Sequence, residues 1–249
     1  MSEFPRFLNA GNRGAFTLDG TRTWLVGDES GLLIVDPGPD VDDHVRAVVS
    51  AATPAATVRI LLTHHHPDHA GGASAVAEAL KAPVAGPEGG VVDEPLDDGD
   101  EVSAGGVRLR AVHTPGHTPD HLCYHDEARE ALFAGDHLLG EGDTTWVAGY
   151  PGCVADYLAS LDRLRRLDLA VIHPAHGPDL QDPAAALDRF ETHRRTRIEQ
   201  VRDALRRMPR ASPEELLQAV YGELPSSVRS AALQSLGALR EYVERPVTS

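Results

Sequence analysis

The chain has 249 residues, 41 % of them hydrophobic, and a formal net charge of −15. That length accommodates one large domain, or one domain with a small appendage, around a sizeable core. So acidic a composition argues against broad, unspecific binding of nucleic acid, and no apolar run approaches the length of a membrane span.

The charge is unevenly spread. Residues 1–185 hold 12 Lys/Arg and 29 Asp/Glu, a net −17, whereas residues 186–249 hold 11 and 9, a net +2. The two stretches are therefore expected to form separate domains, 1–185 and 186–249. Met1-Ser2-Glu3-Phe4-Pro5-Arg6 lacks a basic-then-apolar leader pattern, so a soluble, cytoplasmic protein is expected. Two cysteines, Cys123 and Cys153, make no disulfide framework and read as buried thiols.

In chain order, Thr23–Gly27 and Gly31–Val35 read as two strands, the second ending in the turn signal Asp36-Pro37-Gly38. Asp36 is either a turn residue or an acid that orients a neighbouring side chain. Asp40–Ala52 has helical spacing, with Val41, Val45, Val48 and Val49 on one side. Val58–Leu62 is a short apolar run and reads as a buried strand. It delivers Thr63-His64-His65-His66-Pro67-Asp68-His69 on a loop, before a helix over Ala70–Leu80. Imidazole and carboxylate suit zinc, manganese or iron. His64 and His66 can converge on one ion, and Asp68 and His69 can turn to a second.

Pro83–Gly86 is a short strand, and the acidic stretch Asp93–Glu101 reads as a solvated loop. Gly106–Val112 alternates as a half-exposed strand and delivers His117 and His121 just past a Pro-Gly turn. Leu122–Tyr124 and Ala131–Ala134 are strands, the latter followed by Gly135-Asp136-His137. Trp146 and Tyr150 fall where a substrate wall or a core contact would lie. Asp156–Leu167 is helical, and Leu169–Ile172 is a strand that leads into His173-Pro174-Ala175-His176. Four times a strand ends in a loop with Gly or Pro and a His or Asp, as for ligands gathered at one sheet edge. Three helices follow: an arginine-rich one ended by Pro209, one started by Ser212-Pro213-Glu214-Glu215, and one over about 226–244. Read alone, the arginines of the first are a solvated face before they are an RNA groove.

His64-x-His66-x-Asp68-His69, His117 in Thr-Pro-Gly-His-Thr, Asp136 in Gly-Asp and His176 in His-Gly-Pro together resemble the metallo-β-lactamase superfamily, across roughly residues 17–180. The resemblance implies an α/β fold, an αββα sandwich with metals at one edge of two sheets. It implies two divalent ions, zinc in the first place with manganese or iron as alternatives. His64, His66 and His117 would hold one, Asp68, His69 and His176 the other, with Asp136 bridging. A bridging Asp resembles the hydrolase and nuclease branches, whereas true β-lactamases usually place Cys or Ser near that position. His66 stands where the flavodiiron oxidoreductases have Glu, which points to hydrolysis.

The run Gly140-Glu141-Gly142, His193-Arg194-Arg195 and the helical tail resemble the β-lactamase-like protein 2 branch, which carries a small winged-helix-like C-terminal domain. The expected function is hydrolysis of a small acyl thioester or related ester by a metal-bridging hydroxide, with Asp68 as the catalytic proton shuttle. The alternatives are a metal-dependent endoribonuclease acting on single-stranded RNA and a non-catalytic nucleic-acid-binding module. Asp36, His121, Trp146 and Tyr150 are candidates for orienting ligands or lining the substrate.

Overall fold

The computed structural model describes residues 5–245; Met1–Phe4 of the N-terminal stretch read above lie outside them. The chain divides into two compact units. The first comprises the residues up to His113, Asp120–Glu141 and Asp168–Pro183; the second comprises Thr114–Pro119, Gly142–Leu167 and the residues from Ala184 on.

The first unit holds two sheets. One is built from β1 (Arg6–Asn9), β2 (Arg22–Asp28), β3 (Gly31–Val35), β4 (Val58–Leu61), β5 (Val84–Gly86) and β6 (Glu94–Pro95), side by side in that order. Strands β3 to β6 run parallel. Parallel neighbours need crossovers, supplied by α1 (Asp42–Ala52) between β3 and β4, and by α2 (Pro67–Ala70) and α3 (Ala73–Leu80) between β4 and β5. The other sheet runs β11 (Val171–Pro174), β10 (Ala131–Gly135), β9 (Leu122–Asp126), β8 (Val107–His113), β7 (Glu101–Ala104).

Period-two alternation sorts the apolar residues into two layers. Trp24, Val26, Leu33, Val35 and Leu61 of the first sheet pack with Leu109, Ala111, Tyr124 and Phe133 of the second. Their neighbours Leu25, Leu32, Ile34 and Ile60 face the other way, onto Val48 of α1 and Val76 of α3. Tyr124 is fully buried in the inter-sheet layer. An unpaired phenol there would cost about 1–3 kcal/mol, and its hydroxyl instead donates to the Leu62 carbonyl at 2.6 Å.

The expected strands are present, and three more occur. β1 and the two-residue β6 are exposed edge strands held by backbone pairing, which leaves no hydrophobic pattern to read. β7 begins inside the stretch expected to be a solvated loop; only Val102 and Ala104 point inward, too few to signal a strand. One loop is also partly helical. Pro67 occupies the first position of α2, and His66 before it is extended at φ −63°, ψ 144°, as a residue preceding proline tends to be.

The second unit holds α4 (Cys153–Leu164), α5 (Pro183–Arg207), α6 (Pro213–Tyr221) and α7 (Ser226–Glu244). α4 starts and ends three residues earlier than its leucine spacing suggests, because Gly152 at φ +96° opens it. Ser212 and Glu215 form the reciprocal cap expected at the start of α6. Among the described residues of 186–249 the structure is helical, with no strand. No helix of the described residues is long and apolar enough to cross a membrane.

Candidate metal centre

Within the first unit, one edge of the paired sheets collects polar side chains. β3 leads directly into Asp36, β4 through Leu62 into Thr63-His64, β10 directly into Asp136 and β11 through Ala175 into His176, while β9 starts just after His121. β3 and β4 run parallel, as do β10 and β11, and β9 is antiparallel to β10. All five termini therefore fall on the same side. Backbone bonds join the sheets there: Leu122 N–H donates to the Thr63 carbonyl at 2.9 Å, and Arg22 N–H to the Ala175 carbonyl at 2.8 Å.

The kink at Pro67 divides the histidine-rich stretch. His64 and His66 leave along the strand direction, and the helical turn of α2 swings Asp68 and His69 elsewhere. Two donor groups result. Ligand atoms of His64, His66 and Asp136 lie within 4.8 Å of one another, and so do those of Asp68, His69 and His176. Asp136 also reaches the second group, its Oδ1 standing 3.4 Å from His69 Nε2 and 3.1 Å from His176 Nε2. Asp68 Oδ2 is 3.5 Å and 3.3 Å from the same two nitrogens.

These spacings fit a shared cation. Donors arranged tetrahedrally at zinc-like bond lengths stand about 3.3 Å apart. Nε2 of His69 and of His176 are buried and complete no well-aligned hydrogen bond among the described residues, although carboxylate oxygens stand this close. Orphaned, converging imidazole nitrogens are the arrangement a metal resolves.

A hydrogen-bond relay fixes which nitrogen each imidazole presents. A carboxylate only accepts, so Asp36 takes the Thr63 N–H at 2.8 Å, the Thr63 hydroxyl proton at 2.7 Å and His69 Nδ1–H at 2.8 Å. With its one proton given to Asp36, the Thr63 oxygen accepts from His64 Nδ1–H at 3.0 Å. Both imidazoles therefore carry the lone pair on Nε2 when neutral. Asp36 adopts φ +51° to make these bonds, unusual for a residue other than glycine. His121 Nε2 accepts the Asp136 backbone N–H at 3.3 Å, so it supports Asp136 from behind. Gly135 makes room for this arrangement: at φ +50°, a Cβ there would lie 2.6 Å from Thr63 Oγ1 and 2.7 Å from His121 Nε2.

The electrostatics match a site for positive charge. Burial alone would lower the His69 imidazole, but Asp136 and Asp36 raise it well above its ordinary value. His176 is disfavoured as a cation by burial in the same way, yet Asp136 and Asp68 lift it to about 9. Burial would raise the Asp136 carboxyl, and His69 and His176 instead hold it well below the usual carboxylate range. Asp68 is also lowered, His176 outweighing the burial that opposes it. His66, by contrast, is lowered by burial.

His65 turns away and bonds the Pro87 carbonyl at 3.1 Å. His117 belongs to the second unit, on the eight-residue connection between β8 and β9, and its Nδ1–H donates to the Trp146 carbonyl at 2.8 Å. Trp146 thus contributes its backbone oxygen, with its ring 5.8 Å from the His117 ring. Tyr150 donates its hydroxyl to Asp156 at 2.9 Å, in the first turn of α4. Sequence reasoning gave no role to Thr63. Its only signal is a hydroxyl-bearing residue at a strand end directly before a histidine.

Residues 16–92 and 85–176 match the sequence model of the metallo-beta-lactamase superfamily. A beta-lactamase-like protein 2 homolog of Caenorhabditis elegans is 33 % identical over 237 residues, covering 90 % of this chain and 79 % of the relative. An atrochrysone carboxyl ACP thioesterase of Aspergillus chevalieri is 32 % identical over 248 residues, covering 92 % and 78 %. Among solved structures, a beta-lactamase domain protein from Burkholderia ambifaria shares the fold, with a TM-score of 0.81 at 23 % identity over 96 % of this chain and 86 % of that one. The motifs, the sheet-edge geometry and these matches agree: the chain belongs to the metallo-β-lactamase superfamily.

Proposed function

We propose that the protein is a dinuclear metal-dependent hydrolase of acyl thioesters or related esters. The observation that carries this reading is the place of Asp136. Its carboxylate groups with His64 and His66 and also stands 3.1–3.4 Å from the two imidazoles of the second group. On this reading His64 and His66, with His117 of the sequence motif, would hold one ion, Asp68, His69 and His176 would hold the other, and Asp136 would serve both. Zinc is the ion proposed, since imidazole-rich donor sets with carboxylates suit it, although the same groups accept manganese or iron. When bound, two such ions supply an acidified water near neutral pH and polarise the scissile carbonyl.

The chain's own residues do the rest. Asp36 and Thr63 hold His64 and His69 with Nε2 forward. Asp68 is the catalytic candidate: 28 % of its side chain is exposed, whereas His69 and His176 beside it are fully buried. Its carboxylate can therefore orient a water and pass that water's proton to solvent. The acyl thioester as substrate draws on the similarity to the Aspergillus thioesterase. Cys123 and Cys153 are both buried and neither forms a disulfide, which suits a cytoplasmic location.

Endoribonuclease activity is the second reading, and the α5 arginines weigh against it. Arg195, Arg202 and Arg206 pair with Glu191, Glu199 and Asp203 one turn away, as on a solvated helix face. Turnover of chelator-stripped and zinc-reloaded protein, measured across acyl thioesters, oxyesters and single-stranded RNA, separates the two. Thioester cleavage restored by zinc with intact RNA is expected. RNA cleavage with intact thioesters would replace this reading with the nuclease.

A further inference from the structure

Arg194 on α5 is 3 % exposed, although its neighbours Arg195 and Arg197 reach solvent. No carboxylate pairs with it among the described residues. One terminal nitrogen donates to the Thr145 carbonyl at 2.9 Å and lies 3.4 Å from Thr144 Oγ1, its Nε is buried without a partner, and its guanidinium lies 5.2 Å from the centre of the Tyr157 ring. A buried cation without a counter-charge is costly, so its position calls for an explanation.

Both of its contacts lead to His117. The Thr145 carbonyl belongs to the peptide directly before Trp146, and the Trp146 carbonyl accepts His117 Nδ1–H. Tyr157 packs against the turn that carries His117: at Gly116 a Cβ would come within 2.7 Å of Tyr157 Cβ. Ser160, one turn along α4, bonds the Pro115 carbonyl at 2.8 Å. The imidazole is therefore fixed by a carbonyl on one side and a helix on the other, and Arg194 braces both.

We infer that Arg194 is a positioning residue that sets the orientation of the His117 imidazole. This rests on the reading of His117 as a ligand. Partners of this kind typically change metal affinity about 10- to 100-fold. Acting one bond further out, Arg194→Met weakens one of two zinc ions about tenfold and leaves the ion held by Asp68, His69 and His176 unchanged. Arg194→Lys keeps the charge but cannot hold Thr145 while lying against Tyr157. It gives an intermediate loss, and it decides the matter if the methionine variant does not fold.

The test is zinc titration against a chromophoric competitor, in the wild-type and His117→Ala backgrounds, with the cobalt spectrum as a second readout. Selective weakening of one ion with a shifted cobalt spectrum, and no further change in the ion that His117→Ala retains, is the expected result. Equal weakening of both ions, loss of the retained ion in the His117→Ala background, or wild-type affinity in both Arg194 variants overturns the inference. Two ions retained by His117→Ala itself would overturn the reading of His117, a distinct outcome that removes the basis for Arg194 as well.

Discussion

Thr63→Val removes one hydroxyl and keeps the volume, so it isolates the relay behind the histidines. That hydroxyl donates to Asp36 at 2.7 Å and accepts from His64 at 3.0 Å, and all three residues are almost wholly buried. Losing a hydrogen bond to a charged group costs about 1.5–3 kcal/mol, and stranding a buried N–H costs about 1–3 kcal/mol. The two losses share one atom and are not additive. A net destabilisation of about 3 kcal/mol follows, a fall in Tm of about 6–12 °C for a chain of this size. With the Nδ1 proton of His64 no longer held, zinc affinity falls about 10- to 100-fold. Thermal melts of chelator-stripped protein and zinc titration measure the two effects separately. Thr63→Ser keeps the hydroxyl and stays close to wild type in both. A valine variant that melts and binds zinc like wild type would refute the relay.

Asp68→Asn lowers turnover about 10²- to 10⁴-fold, the usual contribution of a positioned proton acceptor, while metal analysis still finds zinc bound. Full turnover of that variant would remove Asp68 from catalysis. Gly135→Ala forces a Cβ to within 2.7 Å of His121 and Thr63 at φ +50° and destabilises by about 1–3 kcal/mol, read by urea denaturation. The pH dependence of stability has a definite sign in metal-free protein. His176 is raised from 6.5 to about 9, so its contribution is fully present below pH 6.5 and is lost as pH rises through about 9. His69 acts in the same direction. Metal-free Tm therefore falls between pH 6.5 and 9, whereas zinc affinity rises over that range because the ligands must shed protons. A metal-free Tm that rises over this range would contradict the charge arrangement.

The sheet core and most of the site are legible in the sequence, for physical reasons. Val58–Leu61 and Ala131–Gly135 are apolar runs bounded by turns, and metal-ligating residue types crowd into six positions from His64 to His69. What escaped depends on backbone or on direction. β6 and β7 are held by pairing rather than by pattern. Asp36 was equally a turn residue or an orienting acid; its bonds to Thr63 and His69 come from residues 27 and 33 positions away, a link no local window contains. Residue type alone places Arg194 with the solvated arginines of its helix. The spacing of Phe190, Arg194 and Ile198 puts it on the buried stripe, a signal that was present and outweighed by residue type.

Metal content per chain, measured by mass spectrometry after zinc loading and exhaustive dialysis, tests the dinuclear centre most directly. Two equivalents in the wild type, with both weakened by Asp136→Ala, is the predicted result. One equivalent or none in the wild type, or two held undiminished without the Asp136 carboxylate, would contradict it.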